Sequence, residues 1–158
     1  MELAAKYDRR ILVEQAIEDA REIECSVLGN DRPEASVCGE VFPAGEFYDY
    51  ESKYFDDRSR TVIPAELPDS LRDRIRSMAV EVFTALDICG MARVDFLVRR
   101  SDDEIFVLEA NTIPGFTQIS MYAKLWEASG LPYGTLLDRL IELGLERFRE
   151  RSEMRVTR

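Results

Sequence analysis

Two acidic residues and two of their neighbours are spaced so that they could form one site. Arg93 and Asp95 alternate with apolar residues in one stretch, and Glu109 and Asn111 do so in the next. A period of two is typical of β-strands, and the short polar segment between the stretches favours a hairpin. A turn centred on Asp102 then places Asp95 opposite Glu109 and Arg93 opposite Asn111.

Two opposed carboxylates in a sheet repel each other, so this pair needs a proton, a basic partner or a cation. Asp, Glu and Asn offer the oxygen ligands that suit Mg²⁺ or Mn²⁺, with phosphate oxygens and water completing the shell. The same residues fit a solvated face on which both acids pair with Arg93. On the residues alone, structural ion pairs of that kind are the more common arrangement, and both interpretations stay open.

The surrounding patterns predict the elements that position this hairpin. The sequence predicts strands at 10–17, 22–28, 36–42, 47–50, 92–98 and 105–111, and polar and apolar residues alternate clearly at 22–28 and 92–98. Helical spacing predicts helices at 71–86, 121–129 and 134–148, and the polar segment 51–67 is typical of a long loop. The predicted fold class is α+β, a mainly antiparallel sheet covered by helices on one side.

In the second hairpin strand, strict alternation predicts which residues share a face. Phe106, Leu108 and Ala110 are expected on one face, and Glu109 on the other face together with Ile105, Val107 and Asn111.

Length and composition limit the classes of function. The 158 residues suffice for one domain, predicted at 1–150 and followed by a charged tail at 151–158. A formal net charge of -10 disfavours nucleic-acid binding, and the lack of histidine excludes Ser-His-Asp triads and imidazole metal sites. Three widely spaced cysteines favour a reducing cytoplasm, and no apolar stretch approaches the length that spans a membrane.

Some polar residues outside the hairpin allow a functional and a plain interpretation. Lys53 and Tyr54, in the predicted loop, could clamp an anionic ligand, although an exposed lysine is more often only solvated. Glu14, Glu22 and Glu24 could line a ligand or form a plain polar face. The turn after Pro114, with Gly115, lets the backbone approach a ligand closely.

The whole chain resembles the D-alanine–D-alanine ligases of the ATP-grasp superfamily. The resemblance is carried by ILVEQAI, AREIECSVLGN, GEFYDYESKY, IPAELP, GMARVDFLV and VLEANTIPGFTQISMY, all in the family's order, and by the closing amphipathic helix. It covers the C-terminal part of the family only. The chain is therefore expected to be a fragment or truncated product that folds but has little ligase activity alone.

The resemblance implies a role for each candidate residue and favours the metal interpretation of the hairpin. Asp95, Glu109 and Asn111 correspond to magnesium ligands, Arg93 to the arginine that stabilises the transferring phosphoryl group, and Lys53 to a lysine on phosphate. Further correspondences are Tyr54 (site closure), Glu14 (adenine segment), Glu22 (ribose), Gly115 (oxyanion pocket) and Ser120 (carboxylate of the second D-alanine).

The implied reaction uses ATP and Mg²⁺, or Mn²⁺, to join two D-alanines through an acyl phosphate, for peptidoglycan synthesis. The implied partners are these small molecules and a second copy of the full-length protein, with no nucleic acid and no membrane. Two alternatives remain: another ATP-grasp carboxylate–amine ligase, such as a D-alanine–D-lactate ligase, or a non-catalytic nucleotide-binding module. The Lys53-Tyr54 pair favours the dipeptide-forming enzymes.

Overall fold

The computed structural model describes residues 2–42 and 60–154. Its strands are β1 (Ala20–Gly29), β2 (Glu34–Phe42), β3 (Arg60–Val62), β4 (Gly90–Arg99) and β5 (Ile105–Asn111). They form one antiparallel sheet in the order β3-β2-β1-β4-β5. The central strand β1 therefore pairs with β2, its neighbour in sequence, and with β4, which follows much later in the chain.

One face of the sheet is an apolar core beneath helix α1 (Asp69–Ala85). The buried stripe of α1 consists of Leu71, Ile75, Ala79 and Phe83, at the helical spacing predicted for it. On the sheet this stripe meets alternate residues of two strands: Ile23, Cys25 and Val27 of β1, and Ala92, Val94, Phe96 and Val98 of β4. The opposite residues of these strands consequently point to the other face.

Helices α2 (Met121–Ala128) and α3 (Tyr133–Glu153) pack on that other face, so the prediction of helices on one side is wrong. The Tyr122 hydroxyl donates to the Val27 carbonyl at 2.9 Å, and the Ser26 hydroxyl donates to the Tyr122 carbonyl at 3.4 Å. A second cluster of Leu28, Tyr122, Trp126 and Leu136 fixes α2 and α3 there. The α+β class with a mainly antiparallel sheet is confirmed.

The β4–β5 hairpin contains a β-bulge that the strict alternation did not anticipate. Asp95 pairs with Glu109 as predicted, but Phe96 pairs with Val107, which leaves Leu108 as the extra residue. The bulge reverses the alternation beyond it, so that both Ile105 and Ala110 pack against the core under α1. The predicted faces are therefore correct at one end of β5 and wrong at the other.

Three further predictions change in the structure. Residues 10–17 form no strand and are mostly exposed, since within the described ranges the sheet ends at β3 and β5 and this segment joins neither edge. The predicted loop 51–67 contains strand β3, and the predicted strand 47–50 lies outside the described residues. Helix α3 continues to Glu153, past the predicted end of this helix at 148. In the described part of the chain, no helix is long and apolar enough to cross a membrane.

Candidate functional site

A row of three carboxylates crosses the middle of the sheet on the face that carries α2. Glu24 on β1 is the register partner of Asp95 on β4, and Asp95 is the partner of Glu109 on β5. The next row consists of Ser26, Arg93 and Asn111. Directly opposed side chains in a sheet are within interaction distance, so the fold concentrates negative charge along one line.

Arg93 offsets part of this negative charge by pairing with two of the acids. Its Nε and Nη2 atoms donate to the two carboxylate oxygens of Asp95, both at 2.7 Å, in the fork arrangement typical of strong arginine–carboxylate pairs. Its Nε atom also lies 3.2 Å from Oε2 of Glu24. All three side chains are largely buried, with 10–13% of their surface exposed.

The surroundings of Arg93 keep it charged. Burial on its own lowers the pKa of the guanidinium, but its hydrogen bonds to Asp95 and the charges of Glu24, Asp95 and Glu109 together raise that pKa above its usual value. The site therefore holds a permanent cation among carboxylates. Such a cation can face the oxygens of a transferring phosphoryl group.

A cavity of about 200 Å³ lies beside the carboxylate row. Its lining includes Glu22 and Glu24 of β1, Asp95 and Leu97 of β4, and the bulge residue Leu108. A larger cavity of about 570 Å³ runs along α3, but its lining contains none of the described site residues, so we place the candidate site at the smaller one. Glu22 is thus brought to the same opening as Asp95.

The residues predicted as metal ligands have the donor chemistry that Mg²⁺ requires. Asp95, Glu109 and Asn111 present two carboxylates and one amide on adjacent strands. Within residues 2–42 and 60–154, no group of three or more acidic or cysteine side chains is gathered closely enough to hold a metal. A cation here would therefore need further oxygens from phosphate and water. Each carboxylate oxygen has two lone pairs, so Asp95 can accept from Arg93 and still bind a cation.

The chain after β5 brings the last two predicted site residues together. The Asn111 side chain accepts a hydrogen bond from the Ile113 N–H at 3.1 Å, which turns the chain away from the strand. Ser120 Oγ then accepts from the Thr117 N–H at 3.0 Å, and a Cβ placed on Gly115 would lie 3.4 Å from the same oxygen. Gly115 and Ser120 thus border one small turn at the start of α2.

Three predicted residues remain, and the structure describes one of them, Glu14. Glu14 is exposed in the irregular segment before β1, and the described contacts do not link it to the carboxylates. Lys53 and Tyr54 lie outside the described residues. Conversely, the sequence interpretation gave no specific role to Glu24. Its signal is present in the alternation of Glu22, Glu24 and Ser26, but it becomes meaningful only once β1 is known to lie beside β4.

Comparison with known proteins gives a match over most of the chain. The family model described as D-ala D-ala ligase C-terminus matches residues 1–142. The chain belongs to this family. The expected D-alanine–D-alanine ligase resemblance is therefore confirmed.

Relatives in the family are similar over almost this entire chain but are much longer. The D-alanine–D-alanine ligase of Thermoanaerobacter sp. strain X514 is 57% identical over 152 residues. The matched segment makes up 96% of this chain and 42% of that relative. This chain thus spans less than half the length of that family member.

Solved structures of the family show the same fold. The D-alanine–D-alanine ligase of Coxiella burnetii gives a TM-score of 0.83 at 43% identity, covering 96% of this chain and 39% of that one. The VanG D-Ala:D-Ser ligase of Enterococcus faecalis gives 0.79 at 37%, covering 90% and 41%. The Bacillus anthracis D-alanine–D-alanine ligase complexed with ATP gives 0.77 at 33%, covering 95% and 47%.

Proposed function

We propose that this chain carries the part of a D-alanine–D-alanine ligase that binds Mg²⁺ and ATP and promotes phosphoryl transfer. The observation that carries the proposal is the register of β4 and β5, which aligns Asp95 with Glu109 and Arg93 with Asn111. Membership in the ligase family and the ATP complex of a family member support ATP as a substrate.

The residues in and beside the carboxylate row would have different roles, according to their positions. Asp95, Glu109 and Asn111 would hold Mg²⁺, which when bound neutralises phosphate charge. Arg93, held as a cation, would donate to the oxygens of the transferring γ-phosphoryl group as their charge shifts. Glu22, at the same cavity, would accept hydrogen bonds from the ribose hydroxyls.

The turn at the start of α2 would act on the second step. In the proposed reaction, a D-alanine carboxylate attacks the γ-phosphorus of ATP and ADP leaves, and the amine of a second D-alanine then loses a proton and displaces inorganic phosphate from the acyl phosphate. The Gly115 N–H would donate to the oxyanion of that displacement, and the Ser120 hydroxyl would donate to the carboxylate of the second D-alanine. Their closeness across one turn supports this assignment.

Calorimetric titration with ATP, with and without Mg²⁺, tests the proposed nucleotide site. We expect ATP to bind more tightly in the presence of Mg²⁺, because the carboxylates alone repel the phosphates. Equal affinity in both conditions would contradict the assignment of Asp95, Glu109 and Asn111.

D-serine is a second candidate for the amine substrate, because the similar VanG structure is that of a D-Ala:D-Ser ligase. Saturation-transfer NMR with Mg²⁺ and a non-hydrolysable ATP analogue would compare D-alanine, D-serine and D-lactate as ligands. Stronger saturation transfer to D-alanine supports a ligase that forms D-alanyl-D-alanine. Stronger saturation transfer to D-serine or D-lactate supports a ligase that uses that compound instead. Nucleotide binding with no response to any of the three indicates a nucleotide-binding module.

We further infer a cytoplasmic setting, a homodimer of the full-length protein, and a 1–150 domain followed by a 151–158 tail. Cys25, Cys38 and Cys89 are free thiols, as is usual in a reducing compartment. Sedimentation of the full-length protein tests the dimer, and limited proteolysis that removes only the tail would support the boundary.

A further inference from the structure

Glu24 is the member of the carboxylate row for which the family resemblance gave no role. Its register partner is Asp95, and its side chain is only 13% exposed. Its Oε2 atom lies 3.2 Å from Arg93 Nε, whose N–H is donated to Asp95 Oδ1 at 2.7 Å. One guanidinium N–H therefore lies between two buried carboxylates, one that accepts it and one within a short movement of it.

On the side away from β4, Glu24 lies next to strand β2. On β2 its register partner is Gly39. The space above Gly39 is filled by α2, because a Cβ there would lie 2.8 Å from Met121 Cε and 2.9 Å from Leu125 Cδ2. A largely buried carboxylate is stabilised by a nearby cation, and the Arg93 guanidinium lies within ion-pair distance of Glu24.

Both oxygens of Asp95 accept hydrogen bonds from Arg93, although Asp95 is also an assigned cation ligand. A cation bound through the remaining lone pairs of Asp95 would draw on the charge of the same carboxylate and weaken its hydrogen bonds with Arg93. Without a second anionic partner, Arg93 would then be pushed away from the face by the positive charge beside it.

We propose that Glu24 is a positioning residue that takes over the Arg93 N–H when a bound cation draws on the Asp95 carboxylate. This inference rests on the proposed function, since that function places the cation at Asp95. Glu24 keeps the guanidinium on the sheet face, aimed at the position of the phosphoryl group, during the exchange of partners.

Asp95→Asn tests this role without any ligand, because it removes the charge of Asp95 and preserves its shape. In the ¹⁵N-labelled chain, the Arg93 Nε–H resonance is assigned by its loss in Arg93→Lys. We expect this N–H to remain protected from exchange with water in Asp95→Asn. Adding Glu24→Gln should speed its exchange about tenfold, as expected for losing a hydrogen bond to a charged acceptor.

Glu34→Gln in the Asp95→Asn background is the matched control, because Glu34 is an exposed acid at the start of β2. We expect no change in the exchange of the Arg93 N–H from this control. Equal exchange rates in Asp95→Asn and Asp95→Asn/Glu24→Gln would overturn the proposal.

A second measurement keeps the proposal testable where the double variant does not fold. Glu24→Gln alone should weaken binding of Mg²⁺ with adenylyl imidodiphosphate about tenfold, within the range known for residues that orient metal-site ligands. Glu24→Asp, which keeps the charge, should recover part of this loss. An affinity for Glu24→Gln equal to that of Glu34→Gln would overturn the proposal.

The two hypotheses can fail separately. A wild-type chain that binds the nucleotide with no dependence on Mg²⁺ contradicts the proposed function. The exchange comparison in Asp95→Asn still decides whether Glu24 holds Arg93, because it involves no cation and no nucleotide.

Discussion

The β4–β5 hairpin places an arginine among carboxylates at both of its ends, and the two ends differ in burial. At the turn, Arg99 donates to the two oxygens of Asp102 at 3.0 and 2.8 Å and also pairs with Glu104. These side chains are 33–53% exposed. At the site end, the corresponding cluster around Arg93 is 10–13% exposed.

Burial changes what the same chemical pair can do. Water competes for an exposed ion pair and screens its charges, so the turn cluster adds little to stability. In the buried cluster each charge depends on the others, because removing one leaves its partners uncompensated in a poor solvent. The charge of a ligand can therefore change the electrostatic balance of the cluster at the site end, but not that of the cluster at the turn.

The largest expected effect comes from removing the cation at the site end. Arg93→Gln leaves Glu24 and Asp95 buried without a guanidinium and should lower the free energy of unfolding by about 3 kcal/mol. Urea unfolding followed by circular dichroism measures this loss. Arg93→Lys keeps the charge but not the fork, so its loss should be smaller. An unchanged urea midpoint in Arg93→Gln would show that the cluster is solvated.

A smaller loss of stability is expected when the bulge between the two ends is removed. Deleting Leu108 should leave both ends in register, since Asp95 and Phe96 keep their partners on β5. The side chain is 50% exposed, so we expect a loss of about 1 kcal/mol in the free energy of unfolding. Deleting the paired residue Ala110 is the control and should cost more, because it shifts Asn111 to the wrong face. Equal losses of unfolding free energy from the two deletions would contradict the claim that Leu108 can be removed without a change of register at either end.

The smallest effect is expected at the turn. Arg99→Gln should leave the urea midpoint unchanged within measurement error, because the side chains it pairs with are exposed. Unfolding in low and high salt checks this expectation. A shift as large as that of Arg93→Gln would mean that burial is not what separates the two ends.

The same hairpin shows why the sequence predicted one end of it and not the other. Around Asp95 and Glu109 polar and apolar residues alternate, and this alternation sets the register once one face must be buried. From Ile105 to Leu108 the residues are all apolar, so no alternation reveals the bulge. The centre of the turn lies half a residue away from the predicted centre at Asp102. The bulge shifts the register by one residue, so the predicted pairing of Asp95 with Glu109 is still correct.

Non-local pairing limited the prediction of the rest of the site. The periodicity of residues 22–28 predicted β1, but nothing in it indicates that β4 lies beside it. Glu24 therefore had no visible link to Arg93. The segment 10–17 was predicted as a strand, and yet it joins neither edge of the described sheet. Local patterns thus predict most of the elements, while the neighbours of a strand, and whether a segment such as 10–17 joins the sheet at all, depend on the whole fold.

The central claim is that the site end of the hairpin binds the cation that accompanies ATP. Its most direct test compares two isosteric substitutions on this hairpin, Glu109→Gln at the site end and Glu104→Gln at the turn, by calorimetric titration with ATP in the presence and in the absence of Mg²⁺. We expect Glu104→Gln to keep the wild-type gain in affinity from Mg²⁺, and Glu109→Gln to lose about tenfold or more of it. An equal gain in both variants would contradict the claim.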